Sequence, residues 1–317
     1  MKYINNTLTF KIEEPTVITF GKFDGLHRGH ELLMKTLFQK REEYGYQTVV
    51  FTFDIPPRNK VNEMEAKVLT TNAEKLHIFE REGIDYLLEC PFTPEVMNME
   101  PEEFLKWVVT SLNVKCIVAG EDFHFGSKRQ GDHVLIRQMA EELEYEACIF
   151  PKVQENNRDI SSTYVREEIS KGNLEMANFL LGYEFLIKGE VIHGNALGRK
   201  MGMPTINLAI PKEKLLPPNG VYVSRVEIDG EFYRGISNVG RKPTIERKTP
   251  AEGEDPVLVE TYIFDWDKDL YGQEVVVSLL HYVRSEQKFD GIEELSRQMK
   301  KDLQKAEEYY ENITKMC

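Results

Sequence analysis

The hydrophobic period changes once along this chain, at Tyr183, and that change restricts it to two differently built halves. Before Tyr183, short apolar β-runs at 17–20, 47–53, 85–89, 114–119 and 147–151 alternate with helical spacing at 31–45, 72–83, 101–112, 133–144, 164–171 and 173–181. Alternation about every 30 residues predicts a parallel sheet with right-handed crossovers and helices on both faces. Beyond Tyr183 six runs (185–193, 202–210, 221–228, 232–239, 257–264 and 274–283) are strand-like, with Asp229-Gly230 marking a hairpin. These predict a small antiparallel barrel. A charged amphipathic helix at 291–315 follows, carrying Ile292, Leu295, Met299, Leu303 and Ala306 near one face and packing on a domain surface. At 317 residues the chain holds two domains, 1–183 and 184–317.

The formal net charge of -13 argues against non-specific binding to nucleic acid or an anionic membrane. Anionic substrates must be met by local donors, metal ions and helix ends. Cys90, Cys116, Cys148 and Cys317 are scattered, without a CxxC or Cys/His cluster, and the first three read as buried small hydrophobes. No apolar run approaches about 18 residues and no leader pattern opens the chain, so a cytoplasmic protein is expected.

In an open parallel sheet, ligands sit beyond the carboxyl ends of the strands. The unusual residues follow strands here. The first run leads into Gly21-x-Phe23-Asp24-Gly25-x-His27-x-Gly29-His30, where two histidines three apart share a face of the first helical turn. Gly29 leaves the backbone there open, and a helix start with free N–H groups suits phosphate. The second run leads to Ile55-Pro56-Pro57, the fourth to Gly120-Glu-Asp122-Phe123-His-Phe125-Gly126, and the fifth to Asp159-Ile-Ser-Ser162-Thr163 with Arg166 one turn on. A hydroxyl there serves as an N-cap if read alone, but hydroxyls beside a guanidinium would grip a triphosphate. In the second half, Thr205 and Asn207 stand two apart on a strand, so both face one way with oxygen ligands suited to magnesium. The glycines before them (Gly194, Gly198, Gly202) form neither a P-loop nor a dinucleotide fingerprint, since a strand follows.

The two motifs flanking the first half, Gly21 to His30 and Ile160-Ser-Ser-Thr-x-x-Arg166, resemble the signatures of the nucleotidyltransferase superfamily. The loop at 120–126 is similar to that of bacterial flavin adenylyltransferase modules. The second half resembles riboflavin kinase along its length, through Gly198-Arg199-x-x-Gly202-x-Pro-Thr205-x-Asn207, Gly220-Val-Tyr222, Asn238-Val-Gly-x-x-Pro243-Thr244, and Val259-Glu260 through Asp265 to Gly272. The two occur in this order in bifunctional bacterial riboflavin kinase/FAD synthetases. The resemblance implies a Rossmann-like α/β nucleotidyltransferase domain followed by a six-stranded antiparallel β-barrel with a terminal helix. It implies that His27, His30 and Arg166 stabilise charge during adenylyl transfer, with Gly21, Phe23, Asp24, Gly25, Gly29, Ser162 and Thr163 around the nucleotide. Asp122, Phe123 and Phe125 would meet the flavin. In the barrel it implies Glu260 as the base on the ribityl hydroxyl, Thr205 and Asn207 on Mg2+, and Gly194, Gly198, Arg199 and Gly202 around ATP.

The implied reactions are phosphorylation of riboflavin to FMN, then adenylylation of FMN to FAD with release of pyrophosphate. The implied partners are riboflavin, FMN, FAD and ATP, with no nucleic acid and no membrane; self-association stays open. One departure stands out: such modules carry Pro-His-Pro after the second strand, and this chain has Ile55-Pro56-Pro57. That absence motivates a rival, an active kinase with an impaired adenylyl module. A different acceptor, such as nicotinate mononucleotide or phosphopantetheine, is a second rival, and a flavin-sensing or RNA-binding regulator a third. The loop at 247–255 is given no function.

Overall fold

Strands buried on both faces need unbroken apolar runs, and the first half supplies them. In the computed structural model, which describes residues 1–54, 67–194, 198, 202–241 and 257–316, Val17, Ile18, Val49, Val50 and Phe51 are fully buried. Six strands form the sheet: β1 (Lys2–Asn5), β2 (Thr16–Phe20), β3 (Gln47–Asp54), β4 (Tyr86–Pro91), β5 (Val114–Gly120) and β6 (Glu146–Phe150). Their order is β1-β4-β3-β2-β5-β6, and every pair is parallel. Five of them are expected. β1 is not, because Lys2-Tyr-Ile-Asn is short and half polar; its pairing with β4 and a hydrogen bond from Tyr3 to Glu89 hold it on the edge.

The crossovers use α1 (Glu31–Tyr44), α2 (Asn72–Glu82), α3 (Pro94–Met97), α4 (Pro101–Ser111) and α5 (His133–Gln138). α5 ends at Gln138, short of the expected 133–144, and the chain continues in turns to Glu144, which takes a φ of 54°. The order reverses between β2 and β5, the kind of point beyond whose carboxyl ends an open α/β sheet binds its ligands. The loops that follow these two strands are the histidine loop and the 120–131 loop.

Contacts divide the chain into two compact units. One holds the residues up to Asp54 together with Lys75–Ser162; the other holds Lys67–Glu74 and everything from Thr163 onward. The second unit includes α6 (Ser162–Lys171, from Thr163) and α7 (Leu174–Leu181). Segment 67–74 enters it through a buried ion pair: Lys214 Nζ lies 2.7 Å from Glu74 and also donates to Leu69 O and Leu186 O at 2.6 and 2.8 Å. A charge pair so enclosed is tolerable because the remaining ammonium hydrogens and the other carboxylate oxygen, which accepts from Lys188 N at 3.1 Å, are satisfied.

After the two-residue hairpin β7 (Gln154–Glu155) and β8 (Arg158–Asp159), the remaining strands are β9 (Phe185–Ile192), β10 (Thr205–Leu208), β11 (Gly220–Ile228), β12 (Glu231–Arg241), β13 (Val257–Ile263) and β14 (Glu274–Ser285). They close into an antiparallel barrel in the order β10-β13-β12-β11-β14-β9. Asp229 and Gly230 turn β11 into β12 with φ of 50° and 83°, the positive pair a two-residue hairpin demands. Inside the barrel Ser237 Oγ lies 2.7 Å from both Ser224 Oγ and Thr261 Oγ1, so these fully buried hydroxyls satisfy one another. The terminal helix α8 (Ile292–Met316) lies on β11, β12 and β14. Ala306 is fully buried and Leu303 packs on the same cluster as expected. Ile292, expected on that face, is 58% exposed, because the seam starts a turn later with Leu295. Arg284 on β14 anchors the helix through a fork onto Asp302 at 2.7–3.0 Å.

Candidate active sites

The histidine loop differs from expectation in one respect. A 3₁₀ turn, Arg28–His30, precedes α1, and His27 is its N-cap residue. In a 3₁₀ turn residues three apart eclipse, which stacks the two imidazoles with centroids 3.9 Å apart and planes at 19°. The backbone N–H groups of His27 and His30 donate to Gly25 O (3.0 Å) and His27 O (2.7 Å). The rings, not those two amides, are therefore what the loop offers an anion. Nδ1 of both rings is buried without a hydrogen-bond partner. Burial pushes the His27 pKa down to about 4, and burial followed by the neighbouring His27 holds His30 well below its ordinary value. Both imidazoles are neutral at pH 7 until an anion arrives to favour the charged form.

The residues around the pair hold it in place. A Cβ on Gly29 would stand 2.8 Å from His27 Nδ1 and 2.9 Å from Ile160 O, so the space over this glycine is filled by the second signature and is not open as expected. Ser162 Oγ donates to Asp24 O at 2.7 Å, tying the same two motifs together. That hydroxyl lies in the first turn of α6, which starts earlier than position 164. Phe23 (φ 46°, 2% exposed) packs edge-on against Phe79 at 5.6 Å and reaches His30 at 5.0 Å, so it props the loop from within. Gly21 is needed beneath it, since a Cβ there would meet the Phe23 ring at 2.9 Å. Gly25 takes φ 78°, and Asp24 is buried. Thr163 and Arg166 lie on α6, and one guanidinium N–H donates to Lys67 O at 2.5 Å.

In the 120–131 loop, Phe123 stacks on Phe20 (5.3 Å, 11°) and on Phe125 (5.5 Å, 17°). Phe125 is a core residue, 3% exposed and backed by Phe104, whereas Phe123 is half-buried with ring surface to spare. Asp122 is exposed and 3.6 Å from Lys152, which also reaches Asp159 at 3.2 Å. Lys75 was not legible in the sequence. It stands one turn before Phe79 on α2, half-buried, and burial lowers its pKa against the fields of Glu89, Asp24 and Asp54, with Lys22 adding to the lowering. These groups mark the carboxyl ends of β2, β3 and β4; only their convergence, not any spacing, identifies the lysine. The Ile55-Pro56-Pro57 departure lies outside the described residues.

The barrel site is a row across three strands. Asn207 on β10 pairs in register with Glu260 on β13, which pairs with Asn238 on β12, so all three project on one face. Asn207 is 4% exposed, and its Oδ1 is buried without a partner. Gly194 packs so closely that a Cβ there would overlap the Asn207 amide. A divalent cation would complete that orphaned oxygen, with Thr205 two residues away on the same face; the donor set suits a hard ion. Glu260 and Thr205 are half-buried. Gly198 O accepts from Met203 N at 2.8 Å, and Gly202 takes φ 73°. Arg199, Pro243-Thr244 and the 247–255 loop lie outside the described residues. A cavity of about 860 Å³ opens beside Thr205, walled by Val191, Ile206, Tyr262, Trp266 and Tyr271. Asn238 was part of a matching string, but only the register makes it a member of the row.

A parallel sheet with a histidine loop at its switch point, joined to a closed barrel bearing an amide and a carboxylate side by side, defines a two-site nucleotide-using transferase. Residues 9–164 match the FAD synthetase family, and residues 181–310 match the riboflavin kinase family. The chain is 36% identical over 304 residues to the bifunctional riboflavin kinase/FMN adenylyltransferase of Bacillus subtilis, covering 95% of this chain and 94% of that one. It is 33% identical over 301 residues to the protein so named in Escherichia coli K12, covering 94% of each. A solved structure titled as a macrolide-efflux protein from Streptococcus pneumoniae superposes with a TM-score of 0.81 at 31% identity, covering 96% of this chain and 97% of that one. The chain belongs to the family of bifunctional riboflavin kinases/FMN adenylyltransferases. No helix among the described residues is long and apolar enough to cross a membrane.

Proposed function

We propose that the family's two activities are divided here between the barrel row and the histidine loop, with the modules meeting at 183/184. The observation that supports this reading is that, of the buried polar atoms without hydrogen-bond partners among the described residues, His27 Nδ1, His30 Nδ1 and Asn207 Oδ1 fall on residues expected at the two sites. An unpartnered buried polar atom costs free energy, and a phosphate drawing on the imidazoles or a cation on the amide oxygen would offset that cost.

In the barrel, riboflavin and ATP give FMN and ADP. Glu260 takes the proton of the terminal ribityl hydroxyl as its oxygen attacks the γ-phosphorus. Mg2+ held by Asn207 and Thr205 would neutralise phosphate charge when bound. Gly194, Gly198, Arg199 and Gly202 surround ATP, and Asn238 orients Glu260 from the neighbouring strand. At the histidine loop, a phosphate oxygen of FMN attacks the α-phosphorus of a second ATP, giving FAD and pyrophosphate without a covalent enzyme intermediate. His27 and His30 donate to the phosphates, with Ser162, Thr163 and Arg166 placed by the second signature. Lys75 is a further cation for this charge, and Phe123 is the ring that meets the flavin. The protein works in the cytoplasm.

A chromatographic time course with riboflavin, ATP and Mg2+ tests the division. FMN appearing first and then converting to FAD supports it; FMN that accumulates without FAD removes the histidine loop from the reading.

A further inference from the structure

Cys116 and Cys148 are 32 residues apart in sequence, and no spacing rule joins them. Adjacent parallel strands do. Cys116 on β5 is in register with Glu146 on β6, and Cys148 follows two residues later on the same face. The two Sγ atoms are 3.8 Å apart, Cys148 Sγ lies 3.3 Å from Glu146 Oε1, and one ligand atom from each residue falls within 4.8 Å of the others. Two thiolates about 2.3 Å from a zinc ion at the tetrahedral angle stand about 3.8 Å apart, and a thiolate and a carboxylate oxygen about 3.6 Å apart.

We propose that Cys116, Cys148 and Glu146 form a binding site for a thiophilic divalent cation such as Zn2+, distinct from the magnesium chemistry of the barrel. The carboxylate is already divided between two tasks. Its Oε1 faces the sulfur atoms, while Oε2 accepts from Lys40 Nζ at 2.7 Å. Lys40 comes from α1 and is mostly buried, so it fixes the carboxylate from outside, as partners of metal ligands do. It also balances charge: two thiolates and one carboxylate around a divalent ion leave one negative charge, which the ammonium offsets. Cys116 is buried and Cys148 half-buried, leaving the fourth ligand to water from the exposed side of β6. Binding forms two metal–sulfur bonds and one metal–oxygen bond and releases the two thiol protons to solvent. The cluster lies at the amino ends of β5 and β6, opposite the edge that carries the histidine loop. Its effect is to brace the edge strand β6 against β5 and the end of α1.

The test is a titration of the reduced full-length protein with Cd2+ and then Zn2+. One equivalent of Cd2+ should raise an ultraviolet thiolate-to-cadmium charge-transfer band of two-thiolate intensity, and Zn2+ should abolish it while protecting the half-buried Cys148 from a thiol reagent. Cys148→Ser should remove the band, Glu146→Gln should keep it with affinity weaker by at least the roughly tenfold that losing an outer partner of a ligand costs, and Cys90→Ser should change nothing. Unaltered FAD formation from supplied FMN in each variant shows that the sheet carrying the cysteines is folded. Absence of a band at one equivalent, or a band that survives Cys148→Ser, overturns the site.

Discussion

His27 and His30 sit on a loop at the carboxyl edge of a parallel sheet, while Asn207 and Glu260 sit on the faces of paired barrel strands. The loop gathers residues from two distant motifs, joined by the hydrogen bond from Ser162 Oγ to Asp24 O. The row needs only that β10 and β13 be in register. Their electrostatics differ accordingly. Burial keeps the imidazoles neutral, which suits donors that answer charge developing on transferred phosphate. The barrel instead presents a carboxylate beside an unpartnered amide oxygen, which suits a proton acceptor next to a cation. A reaction whose nucleophile is already an anionic phosphate needs no base; one whose nucleophile is an alcohol does.

That contrast is open to direct attack. Glu260→Gln should lower FMN formation by about 10²–10⁴-fold while leaving FAD formation from supplied FMN intact; a kinase rate within a few-fold of wild type would remove the base from the row. His30→Ala should do the reverse, lowering FAD formation by about 10²–10³-fold, the loss typical of one donor to a developing charge. Measuring both rates on the same preparation makes each site the control for the other.

The acid behaviour of the ligand-free protein sharpens the same point. A His27 pKa of about 4 when folded, against 6.5 for the free side chain, means the unfolded chain binds the extra proton between those values. Stability is complete above pH 6.5 and falls as the pH drops toward 4, by about 3 kcal/mol for this group, with His30 acting in the same direction. Chemical denaturation across that range should show the loss, and His27→Gln should flatten it. A variant curve parallel to wild type would mean the imidazole is not held neutral by burial. The smallest effect is expected at Lys75: Lys75→Met should raise the KM for FMN or ATP about tenfold in adenylyl transfer, equivalent to about 1.4 kcal/mol, with Lys75→Arg partly restoring it. An unchanged KM would leave the lysine a structural charge.

Much of this was written in the chain. The period change at Tyr183 separates parallel strands, buried on both faces, from alternating ones, since burial on one or two faces is a local property of side-chain order. The two-residue turn at Asp229-Gly230 and the three-residue spacing of His27 and His30 are local in the same sense. What the sequence could not supply was anything that depends on which strand lies beside which. The strand order put the switch point between β2 and β5. Register set Glu260 against Asn207 and added Asn238, convergence of strand ends exposed Lys75, and the pairing of β5 with β6 brought two cysteines 32 residues apart into contact. Tertiary packing also assigned Phe125 to the core and filled the space over Gly29, because those outcomes turn on neighbours remote in the chain. Local spacing decides which way a side chain points; only the closed sheet and barrel decide what it meets there.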